Sequence, residues 1–249
     1  MSLAGRAFVV TGGASGIGRA TVNKLLQLSA TVHAVDKATT ITNNTKHNCK
    51  LFTYPGIDIG SRQQMTKVFD KISEQSPTPL RGLAHCAAIL APSPTSAEGD
   101  EGLERLWTTN VLGTWITSTE FRRCLQKSPG WASMDTGASI VNVGSMASLR
   151  GIPGLSGYVA SKHGVLGLTR SLAQEWGPEG IRINCVTPGT VMTPMVQGML
   201  PSGDAKPLFH IAGKQVADPE EIADTILYLL SDQSSNIFGT VIETNGGWA

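Results

Sequence analysis

The sequence lacks the features that would place the chain in a membrane or on a nucleic acid. No segment offers about 18 or more uninterrupted apolar residues. The first residues lead directly into a strand-like run, without the charged region, apolar run and cleavage site of a signal peptide. The formal net charge is +1, with no basic stripe and no acidic tail. We therefore expect a cytoplasmic protein with neither a membrane nor a nucleic-acid partner.

Cysteine is also scarce. The four cysteines, Cys49, Cys86, Cys124 and Cys185, show none of the pair spacings that are typical of a metal site, so the sequence predicts no metal. Cys86 and Cys185 fall in apolar, strand-like runs. We expect these thiols to be reduced, buried and chemically inert.

Glycine, in contrast, is concentrated where the first strand-like run, residues 7–11, meets a helical pattern at residues 19–28. Gly12, Gly16 and Gly18 lie in this turn. Glycines allow a backbone to approach a pyrophosphate closely, and the N-terminus of the following helix directs its free N–H groups at the phosphates. The turn therefore predicts a dinucleotide-binding loop, although such a turn can also be purely structural.

An acidic residue ends the second strand-like run. Asp36 follows the glycine turn by about twenty residues, where a carboxylate can accept hydrogen bonds from the adenosine ribose hydroxyls and repel a 2′-phosphate. The pattern favours NAD over NADP. Lys37, the next residue, could soften that repulsion, so NADP stays possible.

A hydroxyl, a phenol and an amine recur at a suggestive spacing in the second half of the chain. Tyr158 and Lys162 are four residues apart in a helical pattern and so share one helix face. A phenol with a pKa of about 10 transfers protons poorly at neutral pH, and a nearby cation favours its phenolate. Ser145 could hold a carbonyl or alcohol oxygen while Tyr158 exchanges a proton with it. Alternatively, the pair merely packs and solvates a helix face.

These motifs occur together in one order. Thr11-Gly12-x-x-x-Gly16-Ile17-Gly18, Asn110 within Thr109-Asn110-Val111-Leu112-Gly113, Ser145, and Tyr158-x-x-x-Lys162 resemble the short-chain dehydrogenase/reductase family over almost the whole chain. The resemblance implies one domain, residues 1–249, with a doubly wound, Rossmann-type and mainly parallel α/β sheet of about seven strands and helices on both faces. It also implies a homotetramer or homodimer.

The resemblance further implies roles for individual residues. Tyr158 would transfer the proton, Ser145 would position the substrate oxygen, and Lys162 would bind the nicotinamide ribose and lower the pKa of Tyr158. Asn110 would bend its helix and hold a water that links Lys162 to solvent. The predicted cofactor contacts are Gly12, Ser15, Gly16, Ile17, Gly18, Asp36, Asp58, Ile59, Ala87, Asn110, Tyr158, Lys162, Pro188, Gly189, Val191 and Thr193.

Two positions leave alternatives open. Asp58, with Ile59, resembles the family's pair beside the adenine, but Asp58 could equally cap the helix that begins near Ser61. His85 opens the segment His85-Cys-Ala-Ala88, where the family commonly has Asn-Asn-Ala-Gly. We interpret His85 as a hydrogen-bonded structural residue rather than a second titrating group.

Residues 192–216 correspond to the family's substrate lid. Its apolar side chains, including Met195 and Met199, would contact the substrate together with Ser145 and Tyr158, or they could be ordinary packing residues. The expected function is oxidation of a secondary alcohol to a ketone with NAD, on a hydrophobic small molecule such as a terpenoid, a steroid-like compound or another secondary metabolite. The alternatives are an NADPH-dependent ketoreductase and a non-redox isomerase or cyclase.

Overall fold

The structure is a computed structural model of the 249-residue chain, and it describes residues 3–42, 50–128, 137–197, 213–214 and 216–248. Its strands are β1 (Ala7–Thr11), β2 (Thr31–Val35), β3 (Leu51–Tyr54), β4 (Leu80–His85), β5 (Ala138–Val143), β6 (Ile181–Pro188), β7 (Thr190–Val191), β8 (Val216–Ala217) and β9 (Val241–Thr244). Its helices are α1 (Gly16–Gln27), α2 (Arg62–Gln75), α3 (Asp100–Leu106), α4 (Gly113–Lys127), α5 (Ser156–Trp176), α6 (Pro194–Gln197) and α7 (Pro219–Leu230).

Seven of these strands form one parallel sheet in the order β3-β2-β1-β4-β5-β6-β9. The chain moves outward from β1 to β3 and then returns to the other side of β1, so the strand order reverses between β1 and β4. In sheets of this kind, ligands bind beyond the carboxyl ends of the strands at the reversal. The doubly wound fold predicted from the sequence is confirmed, and β7 and β8 form a separate small pair.

The sheet is covered on both faces, which explains its nearly continuous apolar strands. On one face, α1 and α7 pack on the sheet through side chains such as Leu25 and Ile226. On the other face, α2, α4 and α5 contribute Phe69, Phe121 and Trp176 to a second cluster. The rigid layers fix the strand ends and therefore the loops that follow them.

The helical segment that contains Asn110 is not one continuous α-helix. A π-helical turn, Trp107–Leu112, separates α3 from α4. Asn110 lies in this turn and its carbonyl oxygen accepts a hydrogen bond of 2.6 Å from the Thr114 hydroxyl. Side chains that bond to backbone in this way commonly bend helices.

The start of α2 answers one open question from the sequence. Ser61 is the N-cap, and its side chain accepts a hydrogen bond from the backbone N–H of Gln64. Asp58 is therefore not the cap of this helix. Its carboxylate instead accepts a hydrogen bond from Gly60 N–H at 2.9 Å.

Within the described ranges, no helix combines the length and apolar character needed to cross a bilayer. In the same ranges, no group of three or more His, Cys, Asp or Glu side chains could hold a metal ion.

Candidate active site

A cleft of about 560 Å³ opens at the carboxyl edge of the sheet, where the strand order reverses. All the predicted cofactor residues line it except Asn110, which is buried behind it. We call the part that Asp36, Lys37 and Asp58 line the outer end, and the part around Ser145, Tyr158 and Lys162 the inner end. The sequence-predicted residues are thus brought together in one continuous space.

The glycine turn forms the floor between the two ends. Gly12 has a φ of +68°, and a Cβ there would lie 2.9 Å from the backbone nitrogen of Ala87. A Cβ on Gly18 would lie 2.0 Å from the carbonyl oxygen of Gly12, so only glycine fits this close approach. The turn leads directly into the N-terminus of α1. This bare backbone at a helix N-terminus fits the pyrophosphate of a nicotinamide dinucleotide.

Asp36 fixes the loop at the outer end. Its Oδ2 accepts a hydrogen bond from Ala14 N–H at 2.9 Å, and its Oδ1 accepts one from Ala38 N–H at 2.8 Å. A carboxylate oxygen has two lone pairs, so each oxygen can still accept a ribose hydroxyl. Asp36 is therefore held in place without losing its capacity to bind a ligand.

Lys37 and Asp58 form an ion pair beside Asp36. The ammonium nitrogen of Lys37 lies 2.8 Å from Oδ2 of Asp58. The hydrogen bond from Lys37 holds the pKa of Asp58 below its ordinary value, and the bond from Gly60 N–H acts in the same direction. Asp58 is therefore negatively charged at neutral pH.

At the inner end, Lys162 is buried and its Nζ donates a hydrogen bond to the carbonyl oxygen of Val143 at 2.9 Å. Burial lowers the pKa of Lys162 to about 8, and the nearby thiols of Cys185 and Cys86 oppose this shift. The nitrogen lies 5.7 Å from the ring centroid of Tyr158. A cation and a phenol thus share one poorly solvated space, as the spacing of Tyr158 and Lys162 predicts.

Tyr158 and Ser145 act on each other directly. Burial raises the pKa of Tyr158, and a hydrogen bond with Ser145 opposes that rise. The Ser145 hydroxyl oxygen also accepts a hydrogen bond from Ala147 N–H at 3.1 Å, which fixes its position in the turn after β5. The Ser145 hydroxyl therefore still has its proton available for a hydrogen bond to Tyr158 or to a substrate oxygen.

Asn110 joins three segments behind the inner end. It is buried, and its Oδ1 accepts a hydrogen bond from Ile89 N–H at 2.9 Å. Its Nδ2 donates to the carbonyl oxygen of Ile89 and to the hydroxyl of Ser161, both at 3.0 Å. The side chain therefore ties the π-helical turn to the loop after β4 and to α5, close to Tyr158 and Lys162.

His85 is buried at the end of β4, where its Nδ1 lies 3.0 Å from the hydroxyl oxygen of Thr11. Burial and the charge of Lys162 lower the pKa of His85 to about 3. The imidazole is therefore neutral at physiological pH. These contacts agree with its interpretation as a hydrogen-bonded structural residue.

The cysteines follow the expectation with one exception. Cys86, Cys124 and Cys185 are free thiols, and burial raises the pKa of each, to about 12 for Cys86 and about 11 for Cys185. Thiols with raised pKa values are poor nucleophiles. Cys86 is only partly buried, however, because it follows the last residue of β4 and lines the cleft. Cys49 lies outside the described residues.

Helix α3 and the π-helical turn after it add cleft residues that the sequence did not identify. Glu104, Arg105 and Thr108 line the cleft, and the methyl group of Thr108 lies close to Gly60. The sequence predicts that these residues are helical, but nothing in it indicates that this helical segment faces the loop after β3. Of the two predicted substrate methionines, Met195 lines the cleft and Met199 lies outside the described residues.

Known proteins resemble this chain over nearly its whole length. A family model described as "Enoyl-(Acyl carrier protein) reductase" matches residues 12–249. The (3R)-3-hydroxyacyl-CoA dehydrogenase of Mus musculus is 32% identical over 253 residues, which cover 96% of this chain and 94% of the mouse protein. The chain belongs to the short-chain dehydrogenase/reductase family.

Solved structures agree with this assignment. The structure of levodione reductase superposes with a TM-score of 0.85 at 27% identity, covering 98% of this chain and 97% of the other. A short-chain dehydrogenase from Mycobacterium paratuberculosis, bound to NAD, gives a TM-score of 0.82 at 27% identity, covering 99% and 98% of the two chains. Similar structures hold NAD or NADP. The protein is an NAD(P)-dependent oxidoreductase that acts on CH–OH or ketone groups.

Proposed function

We propose that the protein oxidises a secondary alcohol of a hydrophobic small molecule to a ketone, with NAD as the oxidant. One observation carries the proposal: a single cleft joins a carboxylate suited to the adenosine ribose, Asp36, to the Ser145, Tyr158 and Lys162 cluster. The residues between the two ends form a bare backbone floor. The cleft can therefore hold an extended dinucleotide with its reactive end beside Tyr158.

The chemistry at the inner end follows from the three functional groups that meet there. When bound, the nicotinamide supplies the hydride acceptor. Tyr158 takes the proton of the alcohol and Ser145 donates a hydrogen bond to the same oxygen, which keeps the oxygen directed at Tyr158. The positive charge of Lys162 favours the phenolate that this step requires. Asn110 holds the loop after β4 against α5 and supports the proton relay.

The preference for NAD rests on charge at the outer end. Asp36 would repel the 2′-phosphate of NADP, and Lys37 is already paired with Asp58. NADPH-dependent ketone reduction is the second candidate, because Lys37 and Arg105 both line the cleft and are cations that a phosphate can recruit.

The substrate class rests on the apolar residues near Tyr158. Ile89, Val191 and Met195 line the cleft, and segment 192–216 is proposed as its lid. The mouse relative is named for a 3-hydroxyacyl substrate and the structural relative for levodione, so both names refer to a hydroxyl or ketone carbon. A terpenoid, a steroid-like compound or another secondary metabolite fits this setting.

We also propose a cytoplasmic homotetramer or homodimer. Four large apolar side chains along α3, the π-helical turn and α4 are exposed, namely Leu103, Trp107, Leu112 and Trp115. Such a patch is unusual on a monomer. Light scattering on the purified protein should give two or four times the mass of one chain, and a monomer would contradict the proposal.

The proposed reaction is tested first by measuring cofactor binding and then by measuring turnover of candidate substrates. We expect NADH to bind at least about tenfold more tightly than NADPH in fluorescence titrations. When the protein is then mixed with NAD and a panel of hydrophobic secondary alcohols, the alcohols that are substrates should produce NADH, which is detected by its absorbance. Tighter NADPH binding with ketone-dependent oxidation would favour the ketoreductase. Substrate conversion without any lasting change in absorbance would indicate an isomerase or cyclase.

A further inference from the structure

Asp58 controls where the charge of Lys37 lies. Its Oδ2 holds the Lys37 ammonium at 2.8 Å, while its Oδ1 accepts a hydrogen bond from Gly60 N–H at 2.9 Å. The backbone N–H of Asp58 donates to Oε1 of Gln64 at 2.8 Å. The carboxylate is thus anchored to its own loop, whereas Lys37 has a long side chain that is 78% exposed. The anchored carboxylate therefore determines where the exposed ammonium lies.

The backbone brings these two side chains together. The carbonyl oxygen of Asp36 accepts a hydrogen bond from Ile57 N–H, and that of Ala38 accepts one from Gly56 N–H, both at 2.9 Å. These bonds join the loop after β2 to the loop after β3 on either side of Lys37. The ion pair is therefore a consequence of the strand register.

The pair lies where a 2′-phosphate would have to be accommodated. Asp36, Lys37 and Asp58 line the same end of the cleft. A phosphate monoester carries a charge of about −1.5 to −2, and Asp36 disfavours it there. A free Lys37 would offset that repulsion, but a Lys37 held by Asp58 is already neutralised.

We propose that Asp58 is a cofactor-specificity residue, which holds Lys37 away from the ribose 2′ position and so strengthens the selection for NAD that Asp36 begins. This inference rests on the proposed preference for NAD. It gives Asp58 a role in addition to any contact with the adenine. Because the adenine is common to both cofactors, such a contact affects both affinities equally.

The test is the ratio of the dissociation constants for NADPH and NADH, measured by fluorescence titration at low salt. Asp58→Asn keeps an oxygen for Gly60 N–H but releases Lys37. We expect this variant to lower the ratio by about fivefold, the scale of one partly exposed charge interaction. Lys37→Gln alone should not lower the ratio, because Asp58 already holds Lys37 away from the phosphate, and the carboxylate that it leaves unpaired can only raise the ratio.

The double variant identifies the cause of the change. If released Lys37 recruits the phosphate, Asp58→Asn combined with Lys37→Gln should return most of the way to the wild-type ratio. A double variant that keeps the full fivefold change would overturn the inference, because the loss of the Asp58 charge alone would then explain it. An unchanged ratio in Asp58→Asn would also overturn it. The wild-type ratio separately tests the preference for NAD, so the two ideas can fail independently.

Discussion

The two ends of the cleft carry similar numbers of ionisable groups in opposite environments. At the inner end, Lys162 is almost fully buried, and burial alone lowers its pKa to about 8. At the outer end, the side chains of Lys37 and Asp58 are 78% and 37% exposed, and their mutual contact governs the pKa of Asp58. Desolvation is thus the main cause of the pKa shifts at the inner end, and ion pairing is the main cause at the outer end.

This difference suits the two tasks. Proton transfer needs groups whose pKa values lie near the working pH. Burial moves the pKa of Lys162 toward that range, but it raises the pKa of Tyr158, and there the hydrogen bond with Ser145 acts in the useful direction. Selection between NAD and NADP needs only a charge of the correct sign near the ribose, for which exposed groups suffice. We therefore expect substitutions at the inner end to have much larger effects than substitutions at the outer end.

The largest expected effect comes from Tyr158→Phe. Removing the hydroxyl removes the proton-transfer group but keeps the ring, so turnover should fall by about a thousandfold. The dissociation constant for NADH should change by less than about threefold, because the ribose would be held mainly by Lys162. Steady-state rates and fluorescence titration provide the two numbers. Unaltered turnover would refute the proposed mechanism.

The next largest effect is expected from Asn110→Ala, which should lower the free energy of unfolding. The change leaves the partly buried N–H and carbonyl of Ile89 without their side-chain partner. We expect a loss of about 3 kcal/mol, or a melting temperature about 6 to 12 °C lower for a chain of this size. Asn23→Ala, on α1, is the control and should change stability by less than about 1 kcal/mol. Similar melting curves for the two variants would show that the Asn110 network is not important for stability.

Asn110 also shows what the sequence could and could not predict. The doubly wound fold and most of the cleft residues were implied by the family resemblance, whose motifs lie at strand ends, and parallel strand ends meet at one edge. The resemblance also implied a bend at Asn110, but not the bonds from Asn110 to Ile89 and Ser161, which are distant in the chain. The Lys37 and Asp58 pair likewise depends on how two loops join. Contacts between elements decide such details.

Folding stability should also depend on pH through His85, which is buried at the end of β4. The pKa of His85 falls from 6.5 to about 3 on folding, so below about pH 6.5 the unfolded chain binds a proton that the folded chain does not. Folding stability should therefore fall as the pH is lowered. His85 alone should account for about 2 kcal/mol between pH 7.5 and pH 5. The pKa of His33, lowered by burial to about 4, should act in the same direction.

His85→Asn isolates this contribution. The loss of melting temperature between pH 7.5 and pH 5 should be smaller in the variant than in the wild type by about 4 to 8 °C. The exposed His163 provides the control, and His163→Asn should leave the pH dependence unchanged. An equal acid sensitivity in His85→Asn and the wild type would contradict the buried, neutral state of His85.

The smallest effect is expected at the outer end. Asp36→Asn removes one negative charge and disturbs one of two backbone hydrogen bonds, from Ala14 or Ala38. The ratio of the NADPH and NADH dissociation constants should fall by about tenfold, or about 1.4 kcal/mol. Asp70→Asn removes an equal charge from an ion pair with Arg123 away from the cleft, and should not change the ratio. Because the outer end is exposed, added salt should reduce the difference between Asp36→Asn and the wild type, whereas the Tyr158→Phe defect should be unaffected. A salt-insensitive Asp36 effect would mean that shape rather than charge selects the cofactor, and the contrast between the two ends would then need another explanation.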